Sequence, residues 1–255
     1  MTVVAVVVDP PRDGLVLPAL PDETPLSAGE ATRLYEAMVS DALLAAAESG
    51  GDLLVNYRSD KQLPDEHVPE DADAEAEVRA LVEDVLDDDQ LGDARIEVQV
   101  GSSRSARVGN TVAHLLETED AGSVAVLEPD VPTLLRKDVD SAAMKLRRSE
   151  TVLGPTDDGD LYFAGFKAPV DFEGALETPA LENVNARAVD AGHDVDFLAN
   201  RRRVRSGGAL RTLVSELRAR RAAGRLVPAY TTALVEDMGL RVDGDESGEP
   251  TLVVE

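Results

Sequence analysis

The run TVVAVVVD at residues 2–9 constrains this chain more than any other feature. From Val3 to Val8 no residue offers a polar face to water. A strand of that kind is buried on both sides, and such strands belong to parallel sheets covered by helices above and below. The segments that follow keep to the same plan. Ser27 and Glu30 have capping-box spacing and predict a helix through about residue 48, with Leu34, Met38 and Leu43 on its apolar side. DLLVNY (52–57), RIEVQV (95–100) and SVAVLE (123–128) predict strands. Apolar residues at helical spacing predict helices over 76–88, 105–117, 133–148, 180–191, 208–223 and 228–239. TVL (151–153), DLYFAGF (160–166) and DVDFL (194–198) read as further strands, and TLVVE (251–255) as an edge strand. This alternation predicts a three-layer α/β/α fold with a mostly parallel central sheet, residues 1–255 forming a single domain. Residues 60–76 stand apart: acidic and poor in apolar side chains, they are expected to form a mobile, solvated loop.

Charge narrows the partners. Fifty acidic against 25 basic residues give a formal charge of −25, which repels nucleic acid and anionic membrane surfaces. Lysine occurs only at 61, 137, 145 and 167, while the hydrophobic fraction is an ordinary 43%. An acidic, lysine-poor chain with a normal core predicts a halophilic protein of a salt-rich cytoplasm, where counterions screen the self-repulsion. The absence of cysteine rules out disulfides, thiol nucleophiles and thiolate-bound metals. No apolar run is long enough to span a bilayer, and the opening residues lack the basic start and cleavage site of a secretion signal, so a cytoplasmic location is expected.

Ligands of open parallel sheets lie beyond the carboxyl ends of the strands. Three predicted strands end in loops of similar character there: Asp9 to Gly14, Pro129 to Pro132, and Gly154 to Asp160. If their carboxylates converge, they suit a hard divalent cation, with waters and substrate phosphates completing its shell. The same residues are also ordinary turn formers in a chain this acidic. No Gly-x-Gly-x-x-Gly follows the first strand and no nucleophile elbow is present. His67, His114 and His193 are scattered.

Three patches carry a resemblance. PLSAGEATRLYEAMVSDAL (25–43), DVPTL (130–134) and VLGPTDDGDLYFAGF (152–166) resemble segments of the DUF2064 family, also called selenodomain-associated transferase 1. VPAYTTALVEDMGL (227–240) is a fainter echo. The family is similar to nucleotide-diphospho-sugar transferases, so the resemblance implies a Rossmann-like glycosyltransferase-A (GT-A) fold. It also implies a nucleotide or nucleotide-sugar ligand, a small-molecule acceptor, and Mg²⁺ or Mn²⁺ as cofactor. It assigns Asp130 to a metal or ribose contact, Asp157 and Asp158 to catalysis near the acceptor or sugar, and Thr156, Gly159 and Asp160 to a substrate loop. Pro11, Arg12 and Gly14 would lie under the nucleotide phosphates. Departures are visible too: no basic residue follows Gly14, Asp160 replaces a glycine, and Arg205 falls where the family has an aspartate. In RRRVR (201–205), Arg203 and Arg205 are therefore candidates to bind phosphate in place of a metal. The activity implied is glycosyl transfer. The alternatives are a nucleotidyltransferase acting on a small phosphorylated metabolite, or a non-catalytic relative acting as a binding or assembly protein.

Overall fold

A computed structural model describes residues 1–244 and 248–254. Its strands are β1 (Thr2–Val8), β2 (Asp52–Tyr57), β3 (Arg95–Val98), β4 (Ser123–Leu127), β5 (Thr151–Pro155), β6 (Leu161–Phe166), β7 (Val195–Phe197), β8 (Leu240–Gly244) and β9 (Pro250–Val254). The helices are α1 (Leu20–Glu23), α2 (Ala28–Ala47), α3 (Ala74–Glu83), α4 (Asp88–Asp93), α5 (Arg104–Ala113), α6 (Arg136–Leu146), α7 (Ala180–Asp190), α8 (Gly207–Ala222) and α9 (Ala229–Asp237).

The described residues build a seven-stranded sheet in the order β3-β2-β1-β4-β6-β5-β7. It is mostly parallel, as the sequence predicts, but β6 runs antiparallel to both β4 and β5. The reversal comes from the acidic turn: residues 156–160 close a β5–β6 hairpin, with the Thr156 amide donating to the Asp160 carbonyl at 2.9 Å. Gly159 sits there at φ +81°, in the left-handed region that glycine enters without steric cost.

Alternation along β1 divides the core into two layers. Val4, Val6 and Val8 pack on one face with α2, α3, α6 and α8, including Leu34, Met38, Val78, Leu146 and Leu213. Val3 and Ala5 pack on the other with α5 and α7, including Val108, Val112 and Val184. Each such fully buried aliphatic side chain contributes roughly 1.5–3 kcal/mol of burial. The Ser27–Glu30 capping box is present at the start of α2, the Ser27 amide donating to Glu30 at 2.7 Å.

Several local readings change, among them the helix expected over 76–88, which ends at Glu83 and gives way to the separate short helix α4 from Asp88. The helix expected over 105–117 ends at Ala113 and continues as a π-turn through Thr118. The C-terminal strand joins a separate two-stranded sheet with β8, rather than an edge of the main one, and Glu255 lies outside the described residues. Within the acidic stretch 60–76 the chain makes two 3₁₀ turns, Asp60–Gln62 and Asp65–His67, before α3 begins.

Candidate active-site cleft

The chain winds from β1 outward through β2 to β3, then crosses back to place β4 on the other side of β1. That reversal between β1 and β4 is the topological switch point, where neighbouring crossovers diverge and leave a crevice at the carboxyl ends. A cleft of about 210 Å³ lies there. Four of its residues each follow directly on a strand: Asp9 after β1, Arg58 after β2, Gln99 after β3 and Glu128 after β4. The start of α5 adds Arg104 and Arg107.

Arginine–carboxylate pairs fill the base and walls. Arg58 forks onto both oxygens of Asp9, its Nη2 donating at 2.5 Å. Arg104 donates from Nη2 to Glu128 at 2.8 Å, and from Nη1 to both oxygens of Asp160 at 2.9 and 3.0 Å. Arg203, 4% exposed, donates from Nε to both oxygens of Asp130 at 2.9 and 3.1 Å and also holds Asp160. Arg205 donates to Asp130 from the solvent side. The Arg58–Asp9 fork, two nitrogens on two oxygens, is the geometry that guanidinium suits best. Burial by itself would raise the Glu128 carboxyl. Arg104, then Arg203 and Arg205, overrule it and hold the group down to about 2, against an ordinary 4.5. Tyr35 accepts the Asp9 amide at 2.8 Å through its hydroxyl, and burial pushes that phenol well above its usual range.

Arg107 differs from its neighbours. Its Nε donates to Gln99 Oε1 at 2.8 Å, and among the described residues it forms no ion pair. Burial, and after it the charge of Arg58, push this guanidinium below its ordinary value. Gln99 is fixed in turn, donating to the Asn56 carbonyl at 2.8 Å.

The structure gathers only part of the sequence-predicted set. Asp130, Asp160, Arg203 and Arg205 meet at the cleft. Pro11, Arg12 and Gly14 do not line it. Arg12 turns instead to Asp60 at 2.6 Å, Glu77 at 2.7 Å and the His67 carbonyl at 2.9 Å. Pro11 lines a hollow between α2, α3 and α9, and Gly14, at φ +75°, packs beside His67. Asp157 pairs with Arg202 at 2.8 Å and lines a second hollow against α8, while Asp158 accepts the Thr156 hydroxyl within its own turn. Within segment 201–205, Arg203 and Arg205 reach the cleft carboxylates, whereas Arg201, Arg202 and Val204 line the second hollow. Arg58, Gln99, Arg104, Arg107 and Glu128 were not singled out by the sequence. Their signal was position, since each stands directly after a strand or in the first turn of the helix that follows one.

The donor set does not fit a divalent metal. Asp130, the expected ligand, is 3% exposed and has both oxygens taken by arginine. Asp9, Glu128 and Asp160 are likewise held by arginine. Among the described residues no group of three or more acidic, histidine or cysteine side chains is arranged to hold a metal ion. Nor is any helix among them long and apolar enough to cross a membrane.

Sheet order, layers and cleft define a protein of the GT-A, or nucleotide-diphospho-sugar transferase, fold. A candidate nucleotide-diphospho-sugar transferase from Desulfovibrio desulfuricans G20 has a similar structure: TM-score 0.75, 21% identity, 92% of this chain and 94% of that one covered. The 4-diphosphocytidyl-2C-methyl-D-erythritol synthase of Anaerococcus prevotii DSM 20548 is similar at TM-score 0.50 and 13% identity, over 85% of this chain and 96% of its own. A manganese complex of Rv0371c from Mycobacterium tuberculosis H37Rv follows at TM-score 0.43 and 14% identity, over 84% and 99%. No curated protein sequence matches the chain. Residues 68–176 match the model of the family described as "Uncharacterized protein conserved in bacteria (DUF2064)", so the family resemblance drawn from the sequence holds over that segment. The patches at 130–134 and 152–166 fall inside it, and those at 25–43 and 227–240 outside.

Proposed function

We propose that this protein binds a nucleotide or nucleotide-sugar in the switch-point cleft and acts as a glycosyltransferase-like protein. The observation that carries the reading is the ring of Arg58, Arg104, Arg107 and Arg205 around a concave site at the carboxyl ends of β1 and β4. Guanidinium groups pair phosphate oxygens bidentately, the geometry that makes arginine a strong phosphate partner. The fold likeness to a candidate nucleotide-diphospho-sugar transferase supports the same ligand class.

Glycosyl transfer is the finer form of the reading. The second hollow, about 450 Å³ and lined by Asp157, Asn200, Arg202 and Thr212, offers polar groups for an acceptor. In that form Asp157 and Asp158 keep the catalytic role the family resemblance implies, with Thr156 and Gly159 shaping their turn. The acidic, cysteine-free composition fits work in a salt-rich cytoplasm.

Thermal-shift titration in high KCl, with nucleoside diphosphates and their sugar conjugates, tests the reading. A ligand at a hundredfold excess over its Kd adds about 2.7 kcal/mol of stability, which is readily seen as a rise in Tm. If no nucleotide or nucleotide-sugar moves the transition, the reading is wrong.

A further inference from the structure

Resting on that nucleotide reading, we infer that the cleft receives the diphosphate of its ligand as a bare anion, without a divalent cation, and that Arg107 is the residue that meets it. Two independent features of the cleft carry this.

The first is the state of the carboxylates. In a metal-assisted site they are free to coordinate, and the cation then bridges them to the phosphates. Here Arg58 forks onto Asp9, Arg104 donates twice to Oε1 of Glu128 while Arg203 and Arg205 stand 3.6 and 3.8 Å from its Oε2, and Arg203 and Arg205 hold Asp130. A metal that reached Asp130 would have to displace Arg203, whose side chain is 2% exposed. The displaced guanidinium would then stand beside the incoming cation, adding like-charge repulsion to the loss of the pair. The arginines already supply the positive charge that a metal would bring.

The second is Arg107. The cleft sets Arg58, Arg104, Arg107, Arg203 and Arg205 against Asp9, Glu128, Asp130 and Asp160, which leaves one positive charge uncompensated. Arg107 is where that charge resides: a neutral amide holds its Nε, and its Nη1 and Nη2 make no hydrogen bond within the described residues. Gln99, itself locked to the Asn56 carbonyl, fixes the approach of the guanidinium. In a molecule of charge −25, a partly buried arginine that no carboxylate touches, with Asp9 and Glu128 bearing on it only at longer range, is an anion site in waiting. The volume sets the size of that anion. At about 210 Å³ the cleft is smaller than the roughly 300–1,000 Å³ of pockets that enclose a whole small ligand. It admits the charged diphosphate and leaves the nucleoside along the rim.

Calorimetry on EDTA-treated protein in high KCl tests this, with UDP, CDP, ADP, GDP and inorganic pyrophosphate as probes, repeated with Mg²⁺ or Mn²⁺ in place of EDTA. The expected result is binding in EDTA that neither metal strengthens. Arg107→Gln should weaken it about tenfold or more, the loss of one charge-assisted hydrogen bond, and Arg107→Lys should recover part of the loss. The melting temperature of unliganded Arg107→Gln should fall only slightly, since the hydrogen bond to Gln99 is lost but no ion pair is broken. Binding that appears only with Mg²⁺ or Mn²⁺ overturns the inference and leaves the nucleotide reading standing. Unchanged affinity in Arg107→Gln overturns the role of that residue. No binding under either condition overturns the reading beneath it and the inference with it.

Discussion

Arg12 and Arg107 show what separates a structural cation from an available one. Arg12 comes out of the loop after β1, where a phosphate clamp was expected, yet Asp60, Glu77 and the His67 carbonyl engage it and its side chain is 9% exposed. The Glu77 pair, and after it the Asp60 pair, keep that guanidinium above its ordinary value despite burial. Arg107 leaves an unremarkable helix and has one neutral partner. Both are single arginines in a strongly acidic chain, so charge counting treats them alike. What differs is whether the fold has already spent their hydrogen bonds. In the first region the cation staples the 60–77 segment to the β1 loop. In the second, the staples are Arg104 and Arg203, and Arg107 stays open above them.

The contrast predicts a large stability effect at the cleft base. Arg203→Met removes the cation that holds buried Asp130 and its partner Asp160. Breaking a buried pair from one side costs about 3–5 kcal/mol, because the remaining charge stays uncompensated. Chemical denaturation measures it, and a loss below about 1 kcal/mol, the worth of a surface pair, would mean that Arg205 alone suffices for Asp130. Arg12→Met should cost less, about 1–3 kcal/mol, since Asp60 and Glu77 are 29% and 32% exposed and can take up water. The same variant should leave nucleotide affinity unchanged. A drop in affinity would return the β1 loop to the binding site and erase the distinction between the two regions.

Much of the fold was open to reading because its signals are local. An unbroken apolar strand, a Ser–Glu capping box and helical spacing each report on residues a few positions apart. The β6 reversal is a partial exception, since TDDGD is as compatible with a crossover loop as with a hairpin. The site was half legible. Asp130 and Arg203 could be nominated one at a time, but not that they would neutralise each other, for they lie 73 residues apart in sequence. Pairing of this kind depends on how the sheet closes, and single-residue chemistry is silent about it. Arg104 and Arg107 escaped notice for the same reason: on a helix they look like solvated surface. Only the strand order turns the start of α5 toward the crevice.

Acid titration probes both regions at once. The folded-state value of Glu128 is depressed from 4.5 to about 2, so its contribution is complete above 4.5 and is lost as the pH falls through that window. Asp60 is lowered as well, because the Ala74 amide and Arg12 outweigh its burial, and its contribution is lost on acidification in the same sense. Stability should therefore decline below pH 4.5. Glu128→Gln should flatten that limb more than Asp60→Asn does, because three arginines bear on Glu128 and one on Asp60. Equal flattening by the two variants would place the acid sensitivity outside the cleft.

The smallest effect expected is that of salt, and it bears on which charges matter. At molar KCl the Debye length shrinks to about 3 Å, which removes most of the self-repulsion of a surface carrying −25. The Arg203–Asp130 contact is shielded from that screening by burial, with 2% and 4% side-chain exposure. Melting temperature should therefore rise from dilute buffer to molar KCl, and it should rise by the same increment in Arg203→Met as in the unaltered protein. Exposed pairs such as Arg33–Asp237, at 52% and 68%, should weaken over the same range without reversing the trend, since each is worth little. If Tm fell with KCl, attraction among surface pairs would outweigh net repulsion, and the acidic composition would need another account. If only the variant gained, salt would be substituting for the missing guanidinium, and the base of the cleft would be accessible to ions after all.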